Sequence, residues 1–337
     1  MRLMIRSILA VAVFAATALA PSARAQEAGP FAGRVELKTR PVAGVPVTLH
    51  RVTADSSGAL ATATTDASGT FRFDLPASTG EAFTVYFTTA EYQAVRYFGP
   101  PLHATEARTG YAIAVFDTAS ALPGGVRISR RDLVLLPHTD GGWEVNEVVR
   151  VLNSADRTLV AGPGTASTWE ISLPAELEAF EAGEGDVPSD RMQWMGDRLF
   201  LLMPLTPGEH DVYFRYRLPA SETRAALALS EGADSLNVYV AQPGPRMAVA
   251  GMTTTDVLTV EGQRFLQYAA TDLEPGSTIG FDWEGDAPPA DPVVVGVAAA
   301  LVLLLLGAGV SIRNRGNTRP PARSTPASRV GVGAPAE

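Results

Sequence analysis

Between residues 30 and 285 the chain repeatedly alternates apolar with polar positions. Val45, Val47 and Leu49 alternate with Pro46, Thr48 and His50, and Phe71 and Phe73 flank Arg72. A period of two is that of a half-buried β-strand, whose successive side chains point to opposite faces. In the first part of the chain the pattern predicts strands at 31–38, 45–51, 59–65, 71–75, 81–90 and 93–99. Further on it predicts strands at 126–136, 143–153, 168–174, 198–204, 210–219, 235–241, 264–270 and 277–284. Turn sequences such as AGPG, TPGE, QPGP and EPGS separate them. Many short strands at this spacing predict sandwiches. Two positions break the pattern. Glu147 interrupts the apolar face of Trp143, Val145 and Val149, and around Tyr213, Phe214 and Tyr216 the inward face is ambiguous. Residues 111–117 fit either the last strand of the first sandwich or a bridge to the second.

Two runs escape the alternation. Arg2 and Arg6 precede an apolar stretch at 7–20 and an Ala23-Arg24-Ala25 site, which together read as a secretory signal peptide over 1–25. Fourteen apolar residues would span only about 21 Å at ~1.5 Å per residue, short of a ~30 Å hydrocarbon core. Residues 292–312 carry no charge, reach about 31 Å and show no polar face, so they predict a transmembrane helix rather than a core helix. Five arginines follow, Arg313, Arg315, Arg319, Arg323 and Arg329, in a tail at 313–337 with a disordered composition. The positive-inside rule puts that tail in the cytoplasm and the body outside it.

Charge and cysteine content narrow the partners. Residues 26–291 hold 35 acidic and 19 basic side chains, a net of −16, which repels nucleic acid. With no cysteine, the exported body relies on its core, an interface or a metal in place of disulfides. A bacterial plasma membrane, with the body periplasmic or external, is the simplest compartment.

Within the first stretch, TTDASGTFRF (64–73) joins two strands by a tight turn. Asp66 is placed to accept backbone N–H groups further along the turn, and Gly69 to take a positive φ at its end. Together with Gly33-Arg34-Val35, PVAGVPVTL (41–49) and Tyr92, this resembles the carboxypeptidase regulatory-like domains, which are transthyretin-like β-sandwiches. The resemblance covers about residues 30–103 and implies a non-catalytic module, of the kind appended to enzymes, surface proteins and receptors. The second half resembles no family with that clarity.

Candidate chemistry is sparse. His50, His103, His138 and His210 show no metal-ligand spacing, and there is no G-x-S-x-G or S-x-x-K set. The acidic stretch at 176–190 offers Glu181, Glu184, Asp186 and Asp190 as oxygen ligands for calcium, against the plainer reading of a solvated acidic loop. No catalytic residue is assigned. Tyr213 or Tyr216 is expected to face outward, and an open strand edge to accept an extended peptide.

The sequence therefore predicts an all-β protein, with two β-sandwich domains in tandem at 30–105 and 111–285 followed by a single transmembrane helix. The function expected is that of a membrane-anchored, non-enzymatic binding or scaffold protein of the cell envelope, with an envelope protein or glycan as partner. Two alternatives stand beside it: an accessory subunit of an export or maturation machine docked through its helix, and a hydrolase using dispersed carboxylates.

Overall fold

A computed structural model describes residues 29–75, 84–103, 110–138, 141–284 and 294–305. The signal peptide expected at 1–25, the spacer at 285–292 and the tail at 313–337 lie outside the described residues. The chain is mostly β and divides into two compact units between Val115 and Phe116.

Among the described residues the first unit has nine strands: β1 (Gly29–Leu37), β2 (Arg40–Pro41), β3 (Pro46–Thr53), β4 (Ser57–Thr64), β5 (Thr70–Leu75), β6 (Thr84–Tyr92), β7 (Val95–Phe98), β8 (Leu102–His103) and β9 (Tyr111–Val115). One sheet runs β2-β1-β5 with β9 parallel against β1, and the other runs β4-β3-β6-β7 with β8 on β6. Since β9 pairs with β1 from Gly33–Tyr111 to Leu37–Val115, the boundary falls after Val115 and not before Tyr111, where the sequence reading began the second domain. Alternation decides what is buried. Val47 and Leu49 point inward from β3, Phe71 and Phe73 from β5, and Tyr111 and Ile113 from β9. The Tyr111 hydroxyl links the two sheets. It accepts the Thr88 N–H at 3.1 Å and donates to the Pro100 carbonyl at 2.8 Å.

The expected turn is present. Asp66 Oδ1 accepts the N–H groups of Ser68 and Thr70 at 2.8 and 2.9 Å, and Gly69 has φ +71°. Gly33 serves packing instead. A Cβ there would lie 2.3 Å from the Phe71 ring, so the bare α-carbon is what lets Phe71 and Tyr111 close over β1.

The second unit contains β10 (Thr118–Ala119), β11 (Val126–Pro137), β12 (Trp143–Asn153), β13 (Thr158–Leu159), β14 (Trp169–Ser172), β15 (Glu178–Ala182), β16 (Met192–Met195), β17 (Arg198–Leu201), β18 (Gly208–Leu218), β19 (Arg224–Leu229), β20 (Ala233–Gln242), β21 (Arg246–Val249), β22 (Thr253–Val260), β23 (Gln263–Leu273) and β24 (Ser277–Glu284). Seven of them form one sheet in the order β15-β18-β12-β11-β20-β23-β22. Two three-stranded sheets, β14-β17-β16 and β19-β24-β21, contribute Ile171, Leu199, Leu201, Leu227, Phe281 and Trp283 to a core with the inner face of the large sheet. That inner face supplies Leu133, Leu135, Trp143, Val145, Phe214 and Val238.

A helix, α1 (294–305), covers part of the other face. No helix among the described residues is long and apolar enough to cross a membrane. The span expected at 292–312 is described only over α1, and its remaining residues lie outside the described ones.

Candidate functional site

The residues richest in chemistry are set in place by one irregularity of β11. Its register against β12 slips between Ile128 and Arg130. Without the slip, the inward set beginning at Ile128 would continue through Arg130 and Asp132. With it, the inward set becomes Arg131, Leu133 and Leu135, while Arg130, Asp132, Val134 and Leu136 face out. An extra residue in one strand re-aims every side chain beyond it.

Arg131 thereby enters the core with no solvent exposure. Its Nε donates to Glu147, which is equally buried, and its Nη2 donates to the Ser172 carbonyl at 2.8 Å. Tyr216 donates its hydroxyl to the second Glu147 oxygen at 3.1 Å. These contacts are diagonal neighbours on adjacent strands, since Arg131 lies opposite Val149, and Tyr216 opposite Val145. Around Ser172 the polar chain continues. Its hydroxyl donates to Ser230 at 2.9 Å, and Glu231 lies 3.3 Å away and 3.7 Å from Arg198. Burial pushes the Glu147 carboxyl up, against the pull of Arg131. Burial, reinforced by the charge of Glu147, holds the Tyr216 hydroxyl well above its ordinary range. Perturbed groups of this kind also mark active sites. Here the three side chains are sealed among Leu133, Val145, Val149 and Phe214, so the arrangement fixes strand register and gives substrate no access.

The outer face of the same sheet divides into a polar and an apolar end. At the polar end Arg150 grips Asp211 with two bonds of 2.7 and 3.0 Å. Asp132 lies 2.6 Å from Arg130 and accepts from Asn237 at 2.9 Å, with burial pushing its carboxyl up. Tyr213 donates to Asn146 at 2.9 Å beside Val134, and itself packs against the apolar cluster. At the apolar end Val134, Leu136, Val148, Tyr239, Ala241 and Phe265 form a continuous surface under α1. The helix meets it with Val297, Ala298, Leu301, Val302 and Leu305. Its opposite side is also apolar, with Val295 45%, Leu303 68% and Leu304 61% exposed.

The four proposed calcium ligands serve four separate local contacts. Glu181 binds Arg215 at 2.9 Å, Glu184 accepts from the Ser189 hydroxyl at 2.6 Å, Asp186 accepts the Asp211 N–H at 3.2 Å, and Asp190 lies 3.5 Å from Arg191. Among the described residues no three His, Asp or Glu side chains are grouped to hold a metal. His50 stacks on Phe87 with centroids 4.8 Å apart and reaches Thr89 at 3.0 Å, and His210 reaches the Thr206 carbonyl at 2.7 Å. His138 joins its N–H to the Gly142 carbonyl, and His103 sits in β8 opposite Val85. Of the two tyrosines, Tyr216 is in the core and Tyr213 is outward. At the exposed side of β16, Trp194 stacks on Phe180 at 5.7 Å and Met195 is 60% exposed.

The pattern singled out Glu147 but not its partners. A usable signal was present: three consecutive charged residues, Arg130, Arg131 and Asp132, sit inside an otherwise apolar strand, so one face or the other has to accommodate charge.

No family model matches the chain, and no curated protein matches it. Among solved structures it is similar to an M1 zinc metallopeptidase from Deinococcus radiodurans, at a TM-score of 0.30 and 14% identity over 47% of this chain and 42% of that one. It is also similar to a candidate protease from Parabacteroides distasonis, at a TM-score of 0.31 and 8% identity over 47% of this chain and 40% of that one. The chain thus spans about two fifths of the length of these structures, and its function has to be argued from its own residues.

Proposed function

We propose that this chain is a non-catalytic binding or scaffold protein of the bacterial envelope, exported by its N-terminal segment and held in the plasma membrane by the helix that begins with α1. Two β-sandwich units stand outside the cytoplasm, the first of them a carboxypeptidase regulatory-like module. The observation that carries this reading is α1 itself. One side fits the sheet, and the other side leaves Val295, Leu303 and Leu304 uncovered. A helix apolar all round belongs in a core or in lipid, and this one is only half covered by protein. The apolar sequence continues through Ile312 before the first arginine, which supplies the length a bilayer requires.

The binding role draws support from how the charges are used. Inside the core Glu147 accepts from both Arg131 and Tyr216, and the acidic side chains of 181–190 are engaged in local contacts. Trp194, 39% exposed and stacked on the half-buried Phe180, is the surface offered to an envelope protein or glycan, since aromatic side chains anchor such contacts.

Flotation tests the anchoring. The full chain mixed with phosphatidylglycerol–phosphatidylcholine vesicles is expected to rise with the lipid through a density gradient and to resist extraction by high salt and by carbonate. Recovery in the soluble fraction would overturn the reading. For the binding role, Trp194→Ala is expected to weaken capture of peptidoglycan fragments or envelope proteins while leaving thermal unfolding unchanged.

A further inference from the structure

The outer face of the seven-stranded sheet and the lipid bilayer compete for the same helix. α1 docks through Val297, Ala298, Leu301, Val302 and Leu305, about 12 Å of helix at ~1.5 Å per residue. These same positions would occupy the hydrocarbon if residues 292–312 crossed the membrane. Both placements cannot hold at once. The surface beneath α1 belongs to a sheet in which Val134 is paired with Asn146 and Tyr239 with Gln267, and Asp132 lies beside Val148 and Asn237. Arg150 and Asp211 follow one register step further along the outer face. If α1 entered lipid while still docked, these polar and charged groups would be carried to hydrocarbon depth. The strand edges of β15 and β22, which end the sheet among the described residues, would go with them, and an open sheet edge is not tolerated there.

We infer that the chain has two exclusive states: one with α1 stored on Val134, Leu136, Val148, Tyr239, Ala241 and Phe265, and one with α1 in lipid and that sheet face released. The inference rests on the anchoring proposed above and adds to it a second, water-compatible place for the anchor. The stored state covers one whole side of the helix, leaving three large side chains exposed, whereas an undocked helix in water would expose every side. Release in turn bares an apolar sheet face, which becomes available only to a chain already in the membrane.

The absence of cysteine makes the test clean. Cysteines are placed in pairs, one on the docked side of α1 (Ala298→Cys, Leu301→Cys or Val302→Cys) and one on the sheet (Leu136→Cys or Ala241→Cys). A control pair uses Leu303→Cys on the exposed side. The full chain, synthesised in a cell-free reaction without lipid, is oxidised before and after addition of phosphatidylglycerol–phosphatidylcholine vesicles. Intramolecular disulfides are expected in at least one docked-side pair in solution, not in the control, with the yield falling at least tenfold in the floated fraction. No intramolecular disulfide in solution, or disulfides only between chains, overturns the stored state. An unchanged yield in chains that float overturns the competition while leaving the anchoring intact. Chains that keep the disulfide-forming geometry in solution but do not float overturn the anchoring together with the competition. As a second variant, Val134→Asp is expected to raise the rate of vesicle association several-fold by weakening storage, and a lowered rate would count against the inference.

Discussion

Arg131 and Asp132 are consecutive in sequence and point to opposite faces of one sheet, and the two faces accommodate charge in different ways. On the inner face a single arginine is enclosed by apolar side chains, with Glu147 and the Ser172 carbonyl as its partners and Tyr216 on the second Glu147 oxygen. On the outer face the charges have more than one partner each, Asp132 meeting Arg130 and Asn237 and Arg150 meeting Asp211 and Glu209, and Val134, Leu136 and Phe265 are left to α1. Enclosure makes a charge unforgiving, because a removed partner cannot be replaced by solvent. Gathering makes it tolerant.

The comparison is broken most severely from the inside. Glu147→Leu strands the Arg131 guanidinium in the core and is expected to cost about 3–5 kcal/mol, read by urea unfolding of the detergent-solubilised chain. Arg131→Met combined with Glu147→Leu should recover most of that loss, and a double variant as unstable as the single would show that the pair itself supplies stability. Next comes the apolar end of the outer face. Leu301→Ala should cost about 2 kcal/mol in the docked state, whereas Leu303→Ala on the exposed side should stay within about 0.5 kcal/mol. Equal effects would mean that α1 is not held by the face described. At the polar end, Asp211→Asn loses one arm of the Arg150 fork, and Glu209, 3.9 Å from Arg150, replaces part of it. About 1.5 kcal/mol is expected, clearly less than for Glu147→Leu.

The smallest effect extends the comparison to full solvation, in the first unit. The Ser68 hydroxyl, followed by the Thr70 N–H, holds the Asp66 carboxyl below its usual range. A carboxyl with a lowered folded value contributes fully at neutral pH, and the contribution is lost as pH falls through that value. Glu147 has the opposite sign. Its folded value is raised by burial, so stability declines as pH climbs from the ordinary carboxylate range, about 4.3, toward that value. Thermal unfolding as a function of pH should therefore lose its acid-side decline slightly in Asp66→Ala and its decline with rising pH in Glu147→Gln. Identical profiles for the two variants would contradict the assignment of opposite signs.

What could be read from the chain beforehand follows the same division between local and distant causes. The turn around Asp66 and Gly69 was legible, because its hydrogen bonds close over four residues. The inward set of β12 was legible by alternation, including Glu147 as its exception. The partners of Glu147 were not. Arg131 is 16 positions away and is turned inward only by a one-residue slip, and Tyr216 is 69 positions away on another strand. The docking of α1 was hidden for a different reason: a run that is apolar on every side carries no record of which side will meet the protein. Pairing of β9 with β1 was equally invisible, since strand partners separated by more than seventy residues leave no mark in local pattern.

That last pairing sets the order of assembly for the first unit. Its opening strand waits for its closing one. Until Val115 has left the ribosome, Val35 and Leu37 lack a neighbour on one edge, and the Tyr111 hydroxyl is not yet there to meet Thr88. A nascent chain halted a few residues short would hold eight strands and still present an open, sticky flank, so the unit is expected to fold late, all at once, and slowly for its size.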